Sequence, residues 1–287
     1  MQRVLHDLVE LLALERIDRD LFRGVSQNLG WGAIFGGQVL GQALSAATQT
    51  VSSDRAVHSL HGYFIRAGDL HHPIVYQVDR LRDGKSFSTR HVVAVQEGEA
   101  IFSLAASFQV EETGFEHQDA MPDAPPPESL PSERDLALRY ADRLPEAVRA
   151  MATAERPIEI RPVEPRNPLK PTAHPPARRL WYRAVDRLPD DPALHRYLLA
   201  YASDFSFLGT ALDPHAVSWL TPGMQVASLD HAMWFHRPFR VDEWLLYVIE
   251  SPTASGARGL VRGHFYDRAG RLVATAAQEG LIRSRAR

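Results

Sequence analysis

Cysteine is absent from the 287-residue chain, which excludes a disulfide scaffold, a thiolate zinc site and a cysteine nucleophile together. Whatever chemistry the protein performs uses oxygen and nitrogen. An excess of one charge is missing too, since 32 Lys and Arg against 35 Asp and Glu leave a formal charge of -3. Such a chain has no basic face to neutralise phosphates, so nucleic acid is not an expected partner. Lysine is scarce, with only Lys85 and Lys170 among the basic residues, and the preference for arginine reads as codon bias. No apolar run approaches the roughly 20 residues that cross a bilayer. The N-terminus spreads charges through apolar residues at Val4, Leu5, Leu8, Leu11 and Leu12, a helical period and not the continuous apolar core of a signal peptide. The tail, Ser284-Arg285-Ala286-Arg287, is not a Ser-Lys-Leu address. A cytoplasmic location with no membrane partner is expected.

Motifs are missing as well. There is no Gly-x-Ser-x-Gly elbow for a serine nucleophile and no Gly-x-x-x-x-Gly-Lys-Ser/Thr loop, and Gly36, Gly37 and Gly41 lack the spacing of a dinucleotide fingerprint. These glycines are expected to let a helix approach a sheet. No His-Glu-x-x-His occurs, and His231 and His236, five apart in a strand-like run, fall on opposite faces. Neither a metal nor a cofactor is expected. Gly68-Asp69-Leu70-His71-His72-Pro73 superficially resembles the Asp and His pair of hotdog enoyl hydratases, but the Asn of that arrangement is missing and the histidines precede the proline. The segment reads more simply as a polar turn.

What is present is a soluble globular composition, 45% hydrophobic and 23% charged, long enough for one large domain or two smaller ones. Phe35 to Ala47 has small and apolar residues on every face, as a helix buried all round requires. Strand-like runs follow at Ala56 to Ile65, Pro73 to Leu81, Phe87 to Gln96 and Ala100 to Val110, separated by turn residues. A proline-rich stretch from about Glu111 to Pro176 then reads as a connector, with Ser132 and Asp135 opening a short helix through Leu136, Tyr140 and Leu144. After it the order recurs. A strand near Arg179 to Val185 and an apolar helix from Leu194 to Leu208 precede strands at Gln225 to Phe235, Glu243 to Ser251, Ala257 to Tyr266 and Leu272 to Ile282. One helix wrapped by an antiparallel sheet, used twice, makes an α+β tandem double hotdog: residues 1–115, a partly structured linker at 116–176, and residues 177–287.

The second half holds polar residues where a core should be apolar. Asp204 sits inside the otherwise hydrophobic Tyr201-Ala202-Ser203-Asp204-Phe205-Ser206-Phe207, and burying a carboxylate costs several kcal/mol unless it is hydrogen-bonded. Ser228 opens a strand expected beside that helix, and Gln278 lies late in the final strand among small neighbours. Each has a structural explanation alone; together they come from three elements around one helix end. The first helix offers Gln38 and Gln42 but no acid, so one site per chain is expected.

The blocks Leu21-Phe22-Arg23-Gly24, Phe35-Gly36-Gly37-Gln38-Val39, Leu81-Arg82-Asp83-Gly84-Lys85-Ser86-Phe87 and Asp230-His231-Ala232-Met233-Trp234-Phe235-His236-Arg237-Pro238 resemble the acyl-CoA thioesterase II family, double-hotdog enzymes of bacteria with peroxisomal relatives. The resemblance covers nearly the whole chain. It implies hydrolysis of fatty acyl-CoA by an Asp, a Thr or Ser and a Gln, which fall on Asp204, Ser228 and Gln278; bacterial members often carry Thr where this chain has Ser. It also implies a homodimer or homotetramer. Backbone N–H groups at Gly36 or Gly37 are candidates for an oxyanion site, and Arg66, Arg90, Arg237, Arg258 and Arg262 for CoA phosphates. Two other readings stand beside hydrolysis: an enoyl-CoA hydratase using Asp69 with His71 or His72, and a non-catalytic acyl-CoA binding module.

Overall fold

The computed structural model describes residues 1–144 and 146–285; the end of the tail, Ala286-Arg287, lies outside them. Helix α1 (Arg3–Leu12) is followed by strands β1 (Glu15–Asp18) and β2 (Leu21–Gly24), then helix α2 (Gly36–Thr48) and a meander of β3 (Arg55–Phe64), β4 (Ile74–Asp83), β5 (Phe87–Gln96) and β6 (Glu99–Val110). The connector carries helices α3 (Glu133–Arg139) and α4 (Glu146–Thr153) and strand β7 (Ile158–Pro162). Strand β8 (Ala177–Ala184), helix α5 (Pro192–Ser203) and a 3-10 segment (Leu208–His215) lead into β9 (Met224–Ser228), β10 (Asp230–Phe235), β11 (Leu245–Ser255), β12 (Arg258–Asp267) and β13 (Leu272–Ser284). No helix among the described residues is long and apolar enough to cross a membrane.

All the strands join one antiparallel sheet whose order shows the internal repeat. The first half runs β2-β4-β5-β6-β3, and the second, read from the far edge inward, runs β8-β11-β12-β13-β10. The halves meet where β3 pairs with β10, with Leu60 directly opposite Met233. Both side chains are fully buried. Alternation in β5 (burial on every second residue from Ser88 to Gln96) is what the period-two pattern predicts for a strand with one face on a core. The connector is not separate from the second half, because β7 pairs with β8 at the edge of the sheet.

Helix α2 is buried from Gly37 to Ala47, as its sequence without a polar face demands, but its neighbour differs from expectation. Gly36 does meet the sheet, where its Cβ would lie 3.0 Å from the Phe64 ring of β3, but Gly37 and Gly41 serve a helix-on-helix contact. A Cβ on Gly37 would lie 2.3 Å from the Tyr201 carbonyl oxygen of α5, and one on Gly41 3.1 Å from the Tyr197 carbonyl oxygen. In the connector, Ser132 and Asp135 form a reciprocal capping box on α3, each side chain accepting the other's backbone N–H at 3.0 Å. That helix stops at Arg139, short of the pattern through Leu144.

The expected strand Gln225 to Phe235 is broken. Ser228 pairs with Gly280, whereas Ala232 pairs with Ala277, so one extra residue is accommodated at Leu229 and Asp230. A slip of one residue in one strand is a β-bulge, and it turns every later side chain to the other face. Two bonds pin it: the Leu229 N–H donates to the Glu279 carbonyl at 2.9 Å, and the Glu279 N–H donates to Asp230 Oδ1 at 2.6 Å.

Candidate active site

Asp204 is not inside helix α5 but one residue past it, in the C-cap position with φ -80° and ψ -17°. The peptide groups on both sides are anchored. The Tyr182 hydroxyl donates to the Phe205 carbonyl at 2.7 Å, and the Tyr247 hydroxyl donates to the Ser203 carbonyl at 3.3 Å. Held this way, the carboxylate faces the N-terminus of α2, where the Gly37 N–H donates to Oδ2 at 3.0 Å. That helix has no cap from its own N-cap residue, Phe35; an acid from the other half of the chain supplies it. Unpaired N–H groups and the helix dipole both favour an anion there. Any side chain at Gly36 would intrude, since its Cβ would lie 2.8 Å from the same oxygen.

Ser228 and Gln278 complete the constellation expected from the sequence. The Gln278 amide N–H donates to Ser228 Oγ at 2.6 Å, and both groups lie close enough to Asp204 to favour its ionised form. Gln278 is 1% exposed, and its orientation is set by a residue that sequence reasoning missed. His231 Nδ1 lies 2.7 Å from Gln278 Oε1, and its Nε2 lies 2.9 Å from Ser203 Oγ. An amide oxygen only accepts, so Nδ1 carries the proton, and Gln278 is left presenting its amide N–H groups toward Ser228. In a regular strand Ser228 and His231, three residues apart, would face opposite ways; the bulge puts both beside Gln278. Had the bulge been legible, His231 would have stood out.

Electrostatics place opposite demands on the pair. Burial pushes the Asp204 carboxyl above its ordinary range, against the pull of the His231 imidazole, the Gln278 amide, the Gly37 N–H and the Ser228 hydroxyl. Burial pushes the His231 imidazole down, against Asp204 and Gln278. Burial thus favours the uncharged form of each group, while the Gly37 N–H, the Gln278 amide and the Ser228 hydroxyl are fixed dipoles that favour the Asp204 carboxylate. The carboxylate then has the acceptor capacity to take a proton from a water, with a hydroxyl and an amide beside it to orient that water.

Around the carboxylate stands a wall of rings. Phe35 and Phe205 stack at 4.4 Å between centroids, Trp31 meets them edge-on at 4.9 and 6.0 Å, and Tyr201 closes on both at 5.2 and 5.5 Å. The Arg156 guanidinium from the connector sits over Trp31 and Phe205 at 5.8 and 5.7 Å.

Other expected residues go elsewhere. The Gly37 N–H donates to Asp204 Oδ2 and is not free to face an oxyanion. Arg90 is 1% exposed and bonded to Thr50 and Asp83, out of reach of any phosphate. Arg66, Arg237, Arg258 and Arg262 pair with Glu99, Glu116, Glu279 and Glu250. Asp69, His71 and His72 lie in a turn, where Asp69 Oδ1 accepts the His71 N–H at 2.8 Å and His72 lies 3.2 Å from Glu97. Gln38 and Gln42 satisfy buried backbone: Gln42 donates to the Leu11 carbonyl and accepts from the Tyr76 hydroxyl, both at 2.7 Å.

A family model described as acyl-CoA thioesterase matches residues 147–281, and one described as acyl-CoA thioesterase N-terminal domain matches residues 26–109. The chain is 46% identical to acyl-CoA thioesterase 2 of Haemophilus influenzae, over 99% of each chain. Among solved structures it is similar to an acyl-CoA thioesterase II from Mycobacterium marinum, 42% identical with a TM-score of 0.77, covering 97% of this chain and 99% of that one. A protein with a hot dog fold from Alicyclobacillus acidocaldarius, 19% identical, superposes with a TM-score of 0.79 over 98% of this chain and 99% of its own; this likeness bears on the fold, an α+β hotdog.

Proposed function

The chain belongs to the acyl-CoA thioesterase II family, and from that premise we propose that it hydrolyses fatty acyl-CoA to free fatty acid and CoA by a water activated at Asp204. The observation that carries the reading is the buried carboxylate at the end of α5, facing Ser228 and Gln278 and capped by Gly37 of the other half. The two halves are read as tandem hotdogs, residues 1–115 and 177–287 joined by 116–176, on the support of their shared strand order.

Water oxygen attacks the thioester carbonyl carbon while Asp204 takes a proton from it. The carbonyl π pair moves onto oxygen, and the second Gln278 amide N–H, the first being donated to Ser228, is available for the charge that develops there. Collapse of the tetrahedral species re-forms the carbonyl and breaks the C–S bond. The pair leaves on sulfur, and the thiolate takes up a proton from Asp204 or solvent. No covalent acyl-enzyme is needed because the thiolate is already a good leaving group. His231 touches no reacting atom in this scheme; it positions Gln278.

Replacing Asp204 by Asn keeps an oxygen to accept from Gly37 but removes the base. Thiol release from acyl-CoA by Asp204→Asn is expected to fall by about 10²-fold or more, with an unchanged circular dichroism spectrum. Turnover within a few-fold of wild type would overturn the assignment.

A further inference from the structure

One cavity adjoins the site without being part of its chemistry. It measures about 390 Å³ and is lined by Trp31, Val148, Met151, Trp219, Met224 and Val226, with the Gly30 backbone. Its walls come from the loop before α2, from connector helix α4 and from strand β9 with the loop at Trp219 that precedes it, three regions distant in sequence. Two of them run straight to the carboxylate. Trp31 packs on Phe35 and Phe205, the residues preceding Gly36 and following Asp204. On β9, Val226 and Met224 share the face of Ser228, because side chains two apart in a strand point the same way. Successive inward positions advance about 7 Å, so Met224 lies about 13 Å along the strand from the Ser228 hydroxyl.

Resting on the hydrolase reading above, we propose that the acyl chain of the thioester lies in this cleft, leading from Ser228 along β9 beneath α4, and that Met151 of the connector helix sets the chain length the enzyme accepts. The side chains that line the cleft are all apolar, with backbone polar groups showing between them, while the catalytic end carries polar side chains, as a thioester with a hydrocarbon tail requires. Met151 lines the same cleft as Met224 and Val226 and packs on the loop at Gly30, where an added Cβ would lie 3.7 Å from the Met151 Cβ. Unbranched thioether side chains adapt to tails of differing bulk. Helix α4 is itself fastened: the Arg134 guanidinium donates to the Thr153 carbonyl at 2.9 Å, and the Arg156 guanidinium to the Met151 carbonyl at 3.2 Å. The connector is thereby a wall of the substrate site and not a tether.

The test measures kcat/KM by CoA-thiol release over straight-chain acyl-CoAs from acetyl to palmitoyl, for the full-length wild type, Met151→Trp and Met151→Ala. The expected result is a ratio of palmitoyl to butyryl activity that falls by about 10-fold or more in Met151→Trp and rises in Met151→Ala. Variants that scale every chain length by the same factor would overturn the proposal while leaving hydrolysis standing. Absence of thiol release by wild type would instead sink the hydrolase reading. In that event calorimetric titration with a non-hydrolysable palmitoyl-CoA thioether decides the cleft separately: at least tenfold weaker binding by Met151→Trp supports it, and unaltered binding overturns it.

Discussion

Burial acts on the two ionisable groups of the site in opposite senses, and each leaves a mark on pH dependence. The Asp204 carboxyl is raised above its ordinary value, so the base is lost by protonation at a higher pH than an exposed carboxylate would be, and kcat/KM should show an acid limb displaced upward from that range. For folding, a raised carboxyl contributes stability below the unfolded value of about 4, and that contribution fades as pH rises through the folded value. The depressed His231 contributes stability above its unfolded value of about 6.5, lost as pH falls through the folded one. Melting temperatures of wild type and Asp204→Asn across pH 4 to 9, about the range in which such groups titrate, should therefore diverge, with the Asn variant no less stable at neutral pH and the acid loss from His231 retained in both. A variant markedly less stable at neutral pH would contradict the burial argument. Asp204 was legible in the sequence as an acid in an apolar context. His231 was not: in the sequence it stands out only beside His236 as a metal pair, and an unbroken strand would turn it to the face opposite Ser228.

Among the elements, the meeting of α2 with α5 matters most. The N-terminus of one helix and the C-cap of the other converge on a single carboxylate, which requires backbones closer than side chains allow. Gly37→Ala would set a Cβ 2.3 Å from the Tyr201 carbonyl oxygen, forcing the helices apart at a cost of about 1–3 kcal/mol. The expected outcome is a melting temperature lower by several degrees together with a loss of activity larger than the stability loss explains, because the Gly37 N–H would move away from Asp204. Thermal melts and thiol-release assays on one preparation check both. The glycines themselves were evident from the sequence, but the partner of Gly37 and Gly41 was read as a sheet. Periodicity reports that a helix is buried on every side and is silent about what buries it.

On the scale of the whole molecule, the two halves share a sheet, a helix pair and the carboxylate that links α5 to the N-terminus of α2. The β3–β10 ladder from Asp230↔Tyr63 to Trp234↔Ser59 runs through the centre of the sheet, and neither half closes its core without the other. Calorimetric unfolding should therefore give one transition, with van't Hoff and calorimetric enthalpies in agreement. Two resolved transitions would mean that the halves are independent units. The repeated order of elements could be read from turns and alternation, and the joining edge could not. Pairing of strands about 170 residues apart in a sequence this long is a matter of tertiary contact, not local pattern.

By itself the sequence determined the helix-then-meander order in both halves, the absence of a thiol, and Asp204 as an acid in apolar surroundings, because each is written in local periodicity or composition; Ser228 and Gln278 joined it through the resemblance to the family. Only the tertiary structure decided that Asp204 caps a helix of the other half, that a one-residue bulge turns His231 onto Gln278, and that the proline-rich connector folds back over the site. Those three depend on where distant backbone segments come to rest, and the spacing of residues along a chain carries no record of it.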